Sequence, residues 1–152
     1  MIQRIQTIYL VLATLILGLT FAFPFATYTL GQENVIFNAY GVSENAGEVS
    51  TFFPYYITIA LSMGLALFSI LQYKKRKVQI KVGRFIYLLL AVTIAFVFID
   101  FYSLKGQFEI DSTAVSYGVS MFLPVAALPI LFMANRNIRK DEDLIKSLDR
   151  LR

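Results

Sequence analysis

Charged positions divide this chain into four long apolar runs. No Asp, Glu, Lys or Arg occurs between Arg4 and Glu33, between Glu48 and Lys74, between Arg84 and Asp100, or between Asp111 and Arg136. A helix that crosses a membrane needs roughly 20 mostly apolar residues. Trimming the polar ends of the runs predicts helices at about 5–26, 53–73, 85–104 and 115–135. The expected fold is therefore an all-α membrane protein. It is a four-transmembrane-helix bundle formed as one domain over residues 1–152, with a tail at 136–152.

The connecting segments carry their own patterns. Thr27–Leu30 and Val35–Tyr40 are β-prone and flank a turn-like Gly31-Gln32-Glu33-Asn34. They predict a hairpin. Gln107–Ile110 is a further short alternating run. An isolated hairpin is marginal in water, so this third strand is expected to complete a small sheet capping one end of the helices. Ser43–Ser50, with Gly47, reads as an irregular loop. From Ile138 the tail reads as an amphipathic helix. Ile138, Leu144, Ile145, Leu148 and Leu151 fall in one sector, opposite Arg139, Lys146 and Arg150.

Charge then fixes an orientation. Every Lys and Arg except Lys105 lies before the first run, between the second and third, or after the fourth. The positive-inside rule makes that side cytoplasmic. Both termini are then inside, and the capping sheet is extracytoplasmic. Tyr28, Tyr55, Tyr56, Tyr102 and Tyr117 fall near the outer ends and Tyr9, Tyr73 and Tyr87 near the inner ends. This suits amphipathic rings in the headgroup layers. The first run is too long for a signal peptide, and no A-x-A-like cleavage site follows it. It is expected to be retained as a helix.

Composition narrows the chemistry. The chain is 57% hydrophobic and 16% charged, with a mean hydropathy of +0.64. That is more apolar surface than one small core can hide from water. It has no Cys and no His. Thiol nucleophiles, disulfides, imidazole bases and His-ligated zinc or haem are excluded. An intramembrane enzyme would need a Ser–Lys or paired-acid arrangement. The lysines cluster at the ends of the apolar runs, and one acid alone touches a run. No enzyme activity, cofactor, metal or small-molecule substrate is expected. The basic residues flank apolar runs, without stacking aromatics or a nucleic-acid-binding fold, so nucleic acid is not an expected partner.

The two ends and the inner link carry a resemblance. The chain opens Met1-Ile2-Gln3-Arg4-Ile5-Gln6-Thr7-Ile8-Tyr9-Leu10, and its link holds Lys75-Arg76-Lys77-Val78-Gln79-Ile80. Its tail begins Ala134-Asn135-Arg136-Asn137-Ile138-Arg139-Lys140-Asp141-Glu142 and closes Ser147-Leu148-Asp149-Arg150-Leu151-Arg152. Over its full length it resembles a family of small inner-membrane proteins of Bacteroidota, the domain of unknown function 4293. The resemblance implies four helices in the bacterial inner membrane. It implies no activity and transfers no site residue.

Several residues are candidates for function. Asp100 is the acid nearest a span, and an ionisable group inside a membrane is costly and often functional. Its place beside Tyr102 and Lys105 predicts an interfacial group in reach of water. Lys74, Lys75, Arg76 and Lys77 are candidates for holding anionic lipid headgroups. Leu144 and Leu148, in the tail stripe, are candidates for docking on a partner protein. Pro124 and Pro129 predict a kink in the fourth helix. The small-residue pairs Ala22/Ala26, Ala60/Gly64 and Ala91/Ala95 predict close helix packing within the chain.

Two functional classes follow. The first is a non-catalytic membrane protein acting by contact as a subunit, scaffold or assembly factor, with membrane lipids and a larger inner-membrane complex as partners. The alternative is a small transporter or channel, as one chain or as an oligomer. It lacks the mid-membrane charge that most ion-coupled carriers need.

Overall fold

The computed structural model describes residues 2–30, 33–42, 51, 53–73, 75–107 and 115–150, leaving aside the side chains of 2–4, 30, 33, 107, 145, 146 and 148–150. The fold is mostly helical with a small antiparallel sheet. The helices are α1 (Ile2–Leu19), α2 (Tyr55–Leu71), α3 (Arg76–Gln107) and α4 (Leu123–Arg150). The strands are β1 (Ala26–Leu30), β2 (Glu33–Asn38), β3 (Gly41–Val42) and β4 (Val115–Tyr117), and a 3₁₀ turn covers Val119–Met121. Each helix packs against the next in the chain, and α4 closes back on α1.

The helix bounds depart from those expected, for local reasons. α1 stops at Leu19 rather than near 26. Pro24 has no N–H to donate and clashes with the carbonyl four residues back. The chain tightens ahead of it through three hydrogen bonds of 3₁₀ type, Thr20 to Leu17, Phe21 to Gly18 and Ala22 to Leu19. The apolar residues after Leu19 therefore feed a turn and strand β1. At the other end of the fold, residues 115–122 form β4 and the 3₁₀ turn, so α4 starts at Leu123. Pro124 then lies in the first helical turn, where its missing N–H would be unpaired anyway. It does not kink the helix, and Pro129 is the proline inside α4. α3 begins at Arg76, so much of the expected basic link is its first turns.

The hairpin forms as predicted. β1 pairs with β2 from Ala26↔Phe37 to Leu30↔Glu33. The strand order is β3-β2-β1-β4. The strand from the second loop is Val115–Tyr117, which pairs antiparallel with β1. Of the expected 107–110, Gln107 ends α3, and 108–110 lie outside the described residues. So does the loop 43–50. β2 turns into β3 through Ala39 and Tyr40, with Asn38 Oδ1 accepting the Tyr40 N–H at 2.9 Å. Gly41 takes φ 130° there, a conformation that side chains oppose.

Alternation along the strands decides what the sheet covers. Ala26, Tyr28, Val35 and Phe37 are buried, while Thr29 and Ile36 face out. The buried face sits on the C-terminal end of α3 and the N-terminal end of α2. Phe25, Phe37 and Tyr55 meet there with ring centroids 5.1–5.7 Å apart, and Phe53 stacks on Phe96 at 4.4 Å. Tyr28 and Tyr55 are thus core residues, not the headgroup-layer tyrosines expected. Tyr56, Tyr102 and Tyr117 are exposed.

The small-residue pairs are also not where packing was expected. Ala60, Gly64, Ala91 and Ala95 face outward, as does Ala22, and Ala26 lies in a strand. A side chain added at Gly64 would meet nothing. The close helix approach is instead at Gly83 of α3, where an added Cβ would overlap the Asn135 amide of α4.

Candidate functional site

The two ends of the helices hold different polar arrangements. At the sheet end, α3 turns Asp100 inward to 8% exposure. The Tyr55 hydroxyl donates to Asp100 Oδ2 at 2.6 Å. Beside it the Tyr28 hydroxyl donates to the Phe101 carbonyl at 3.1 Å, and burial holds that hydroxyl well above the usual tyrosine range. Asp100 is therefore not the water-exposed interfacial acid the sequence suggested. The aromatic underside of the sheet covers it, and its phenol partner ties α3 to α2.

At the opposite, basic end the acid is Asp141 of α4, 6% exposed. Gln6 of α1 donates to its Oδ2 at 2.6 Å. Arg76 of α3 approaches the same oxygen at 3.9 Å. Nearby, Gln79 of α3 donates to the Ser69 carbonyl of α2 at 2.7 Å, while its Oε1 has no partner among the described residues. These contacts join all four helices.

Among the described residues, three grooves open at this end, each bordered by one of the three tyrosines assigned to it from the sequence. A groove of about 370 Å³ runs between α1, α2 and α3, bordered by Gln6, Tyr73 and Gln79. One of about 530 Å³ runs between α1 and α4, bordered by Tyr9, Pro129, Met133 and Asn137. The third, about 580 Å³, lies between α3 and α4. Its α3 wall is Arg84 and Tyr87, and its α4 wall carries Asn135, Arg136, Arg139, Lys140 and Asp143. Phe132, Arg136 and Lys140 border both α4 grooves. Asn135 is buried, and the four cations are exposed. Tyr87 Oη is buried beside Asn135.

The sequence candidates are dispersed relative to this groove. Lys75 and Lys77 are exposed beside the start of α3, and Arg76 is committed to Asp141. Lys74 lies outside the described residues. The tail is not a separate helix but the continuation of α4. Its expected stripe is split, with Ile138 buried and Leu144 exposed at 53%. The side chain of Leu148 lies outside the described residues. The buried seam of α4 runs Ala127, Leu131, Ala134, Ile138, Asp141, alternating steps of four and three, and so ends on an acid. The groove cations were read from the sequence only as topology signals. Arg136, Arg139 and Lys140 are spaced i, i+3, i+4, which puts them on one helix face. Arg84 joins them only through folding.

These features define a helical protein capped by a four-stranded antiparallel sheet, with two helical stretches among the described residues, Arg76–Gly106 and Val119–Leu144, long and apolar enough to cross a membrane. The family described as Domain of unknown function (DUF4293) matches residues 2–151, and the chain belongs to that family. No curated protein and no solved structure matches it.

Proposed function

We propose that this chain is a four-span protein of the bacterial cytoplasmic membrane, with both termini inside, that acts by contact as a subunit, scaffold or assembly factor. The observation that carries this reading is where the apolar surface faces. Only 28% of the most apolar window of the α3 stretch and 39% of that of the α4 stretch is buried inside the protein. The core helix of a water-soluble domain would be mostly enclosed. Here Leu12, Leu15, Leu61, Leu67, Leu88 and Ile99 point outward between the basic end and the sheet end. Such a belt is stable when lipid covers it.

Helix length agrees. α3, with 32 residues, extends about 48 Å and overshoots a hydrocarbon core of roughly 30 Å. The shorter α1 and α2 leave room for the Phe25, Phe37 and Tyr55 cluster to fill the layer under the sheet. The contact reading is supported by what the interior polar groups do: Asp100, Asp141, Gln6 and Gln79 are engaged in tying helices together. Among the described residues, the three grooves at the basic end do not reach the sheet.

The chain has no cysteine, so single introduced cysteines report topology directly. Tyr40→Cys, next to β3, and Ser147→Cys, in the last turns of α4, are expected to react with a membrane-impermeant maleimide from opposite sides. Reaction of both from one side in sealed cells would refute the four-span arrangement. Crosslinking in native membranes tests the contact reading, which predicts recovery of a larger membrane complex.

A further inference from the structure

We infer that the α3–α4 groove and the α1–α4 groove together seat a phospholipid carrying two phosphates, which straddles α4 at the inner headgroup layer. The inference rests on the membrane reading above and goes beyond it by naming a ligand class and a site.

Charge comes first. Arg84, Arg136, Arg139 and Lys140 converge on the α3–α4 groove against the single carboxylate of Asp143. None of the four has an ion-pair partner within 4.0 Å among the described side chains. Elsewhere at this end the one ion pair described is Arg76 with Asp141. A cationic cluster left uncompensated in this way favours a ligand with more than one negative charge. Three of the four cations are guanidinium groups, whose forked donors suit phosphate oxygens.

The neutral side chain of Tyr87 borders the same groove, with its hydroxyl buried beside Asn135. The groove exists in this form because Gly83 lets Asn135 close against α3, fixing the spacing of the two walls.

Depth comes next. Arg84 and Asp100 bracket the charge-free part of α3, and the sixteen steps between them span about 24 Å. That places Arg84 close to the inner edge of a hydrocarbon core when Asp100 is near the outer one. The surface then turns apolar: Phe132, which borders both grooves, is 59% exposed, Met133 of the α1–α4 groove 49%, and Leu88, one turn along α3 from Arg84, 62%. A phosphate held by the arginines would send its acyl chains along these residues. A free phosphate would use the cations and leave the apolar walls idle.

The preference for two phosphates comes from the shared wall. Arg136 and Lys140 border both grooves. They can be approached from either side of α4, so one headgroup can place a phosphate on each side of the same pair of cations. Basic pockets between membrane helices on the cytoplasmic side are a general setting for such headgroups.

The test uses the full chain purified in a mild neutral detergent. Native mass spectrometry and a fluorescence titration follow binding of diphosphatidylglycerol, phosphatidylglycerol, phosphatidylcholine and inorganic phosphate. The expected order is diphosphatidylglycerol ahead of phosphatidylglycerol, with phosphatidylcholine and inorganic phosphate far weaker. Replacing Arg136, Arg139 and Lys140 together with Gln should weaken diphosphatidylglycerol about tenfold or more. The matched control replaces the exposed Lys75, Lys77 and Lys81 with Gln, the same loss of charge at the same end of the molecule. It should change binding by less than about threefold.

Equal weakening by both triple variants would show diffuse attraction to a basic surface and overturn the site. Equal affinity for the one-phosphate and two-phosphate lipids would overturn the straddling arrangement. Binding of inorganic phosphate as strong as that of lipid would overturn the lipid assignment. Should the groove triple misfold, Arg84→Gln on the opposite wall gives the same readout singly, and its failure to weaken binding overturns the proposal. Alkaline carbonate extraction separates the two levels: release of the chain from membranes would refute membrane insertion, whatever the binding data.

Discussion

Among the described residues, the sheet end and the basic end each bury one carboxyl group, by opposite means. Asp100 is enclosed by rings and satisfied by one phenol, Tyr55. Asp141 takes a short hydrogen bond from Gln6 and a looser approach from Arg76. At the sheet end the surroundings are close-packed aromatics and backbone, which cannot shift without disturbing several elements. At the basic end they are long side chains at the edge of water, which can rearrange. The lesson is that similar burial does not mean similar dependence on the surroundings. Damage at the sheet end should cost more.

The largest effect is expected at Gly118. A Cβ there would overlap the carbonyl of Pro24. That stretch is held in place, since the Gly118 N–H donates to the Phe25 carbonyl at 2.8 Å and the Phe25 N–H to the Phe37 carbonyl at 2.7 Å. Gly118→Ala should therefore cost about 3 kcal/mol or more in an unfolding titration in detergent. A loss below about 1 kcal/mol would mean this join is as yielding as the basic end.

The Asp100–Tyr55 pair should come second, and asymmetrically. Tyr55→Phe leaves the buried carboxyl without its donor and should cost about 2 kcal/mol. Asp100→Asn keeps an oxygen to accept the Tyr55 hydroxyl and should cost less than about 1 kcal/mol. The reverse order would indicate that the negative charge, rather than the hydrogen bond, matters at this site.

Arg76→Gln should have the smallest effect, below about 1 kcal/mol, and added salt should shrink it further. Its 3.9 Å approach is long, the side chain is 17% exposed, and Gln6 remains on Asp141. A larger loss would place Arg76 among the structural groups and erase the contrast between the ends.

The same contrast separates what could be read along the chain from what could not. The helices followed from gaps in charge, and the hairpin from alternation around Gly31-Gln32. Pro24 could have set the end of α1 by itself. Asp100 was misplaced because the end of an apolar run was equated with the edge of water. The residues that cover it, Tyr55, Phe25 and Phe37, are remote in sequence and reach it through the sheet. The small-residue pairs misled because spacing says which residues share a face, not what the face meets. The groove was half legible: the Arg136, Arg139, Lys140 spacing was visible, while the opposing Arg84 and Tyr87 required α3 to pack beside α4.

α4 has a mechanical consequence. Its 28 residues make an unbroken rod of about 42 Å. Just ahead of its first turn, the Ser120 hydroxyl donates to the carbonyls of Thr20 and Phe23 at 3.1 and 2.7 Å, clamping that end to the turn before β1. A load applied at the far end, near Ser147, is transmitted along the axis toward the sheet. The rod has one compliant joint, at Pro129, where the backbone forgoes a hydrogen bond. Bending concentrates there, just below the wall that the two grooves share, so a sideways push on the cytoplasmic end would open one groove as it narrows the other.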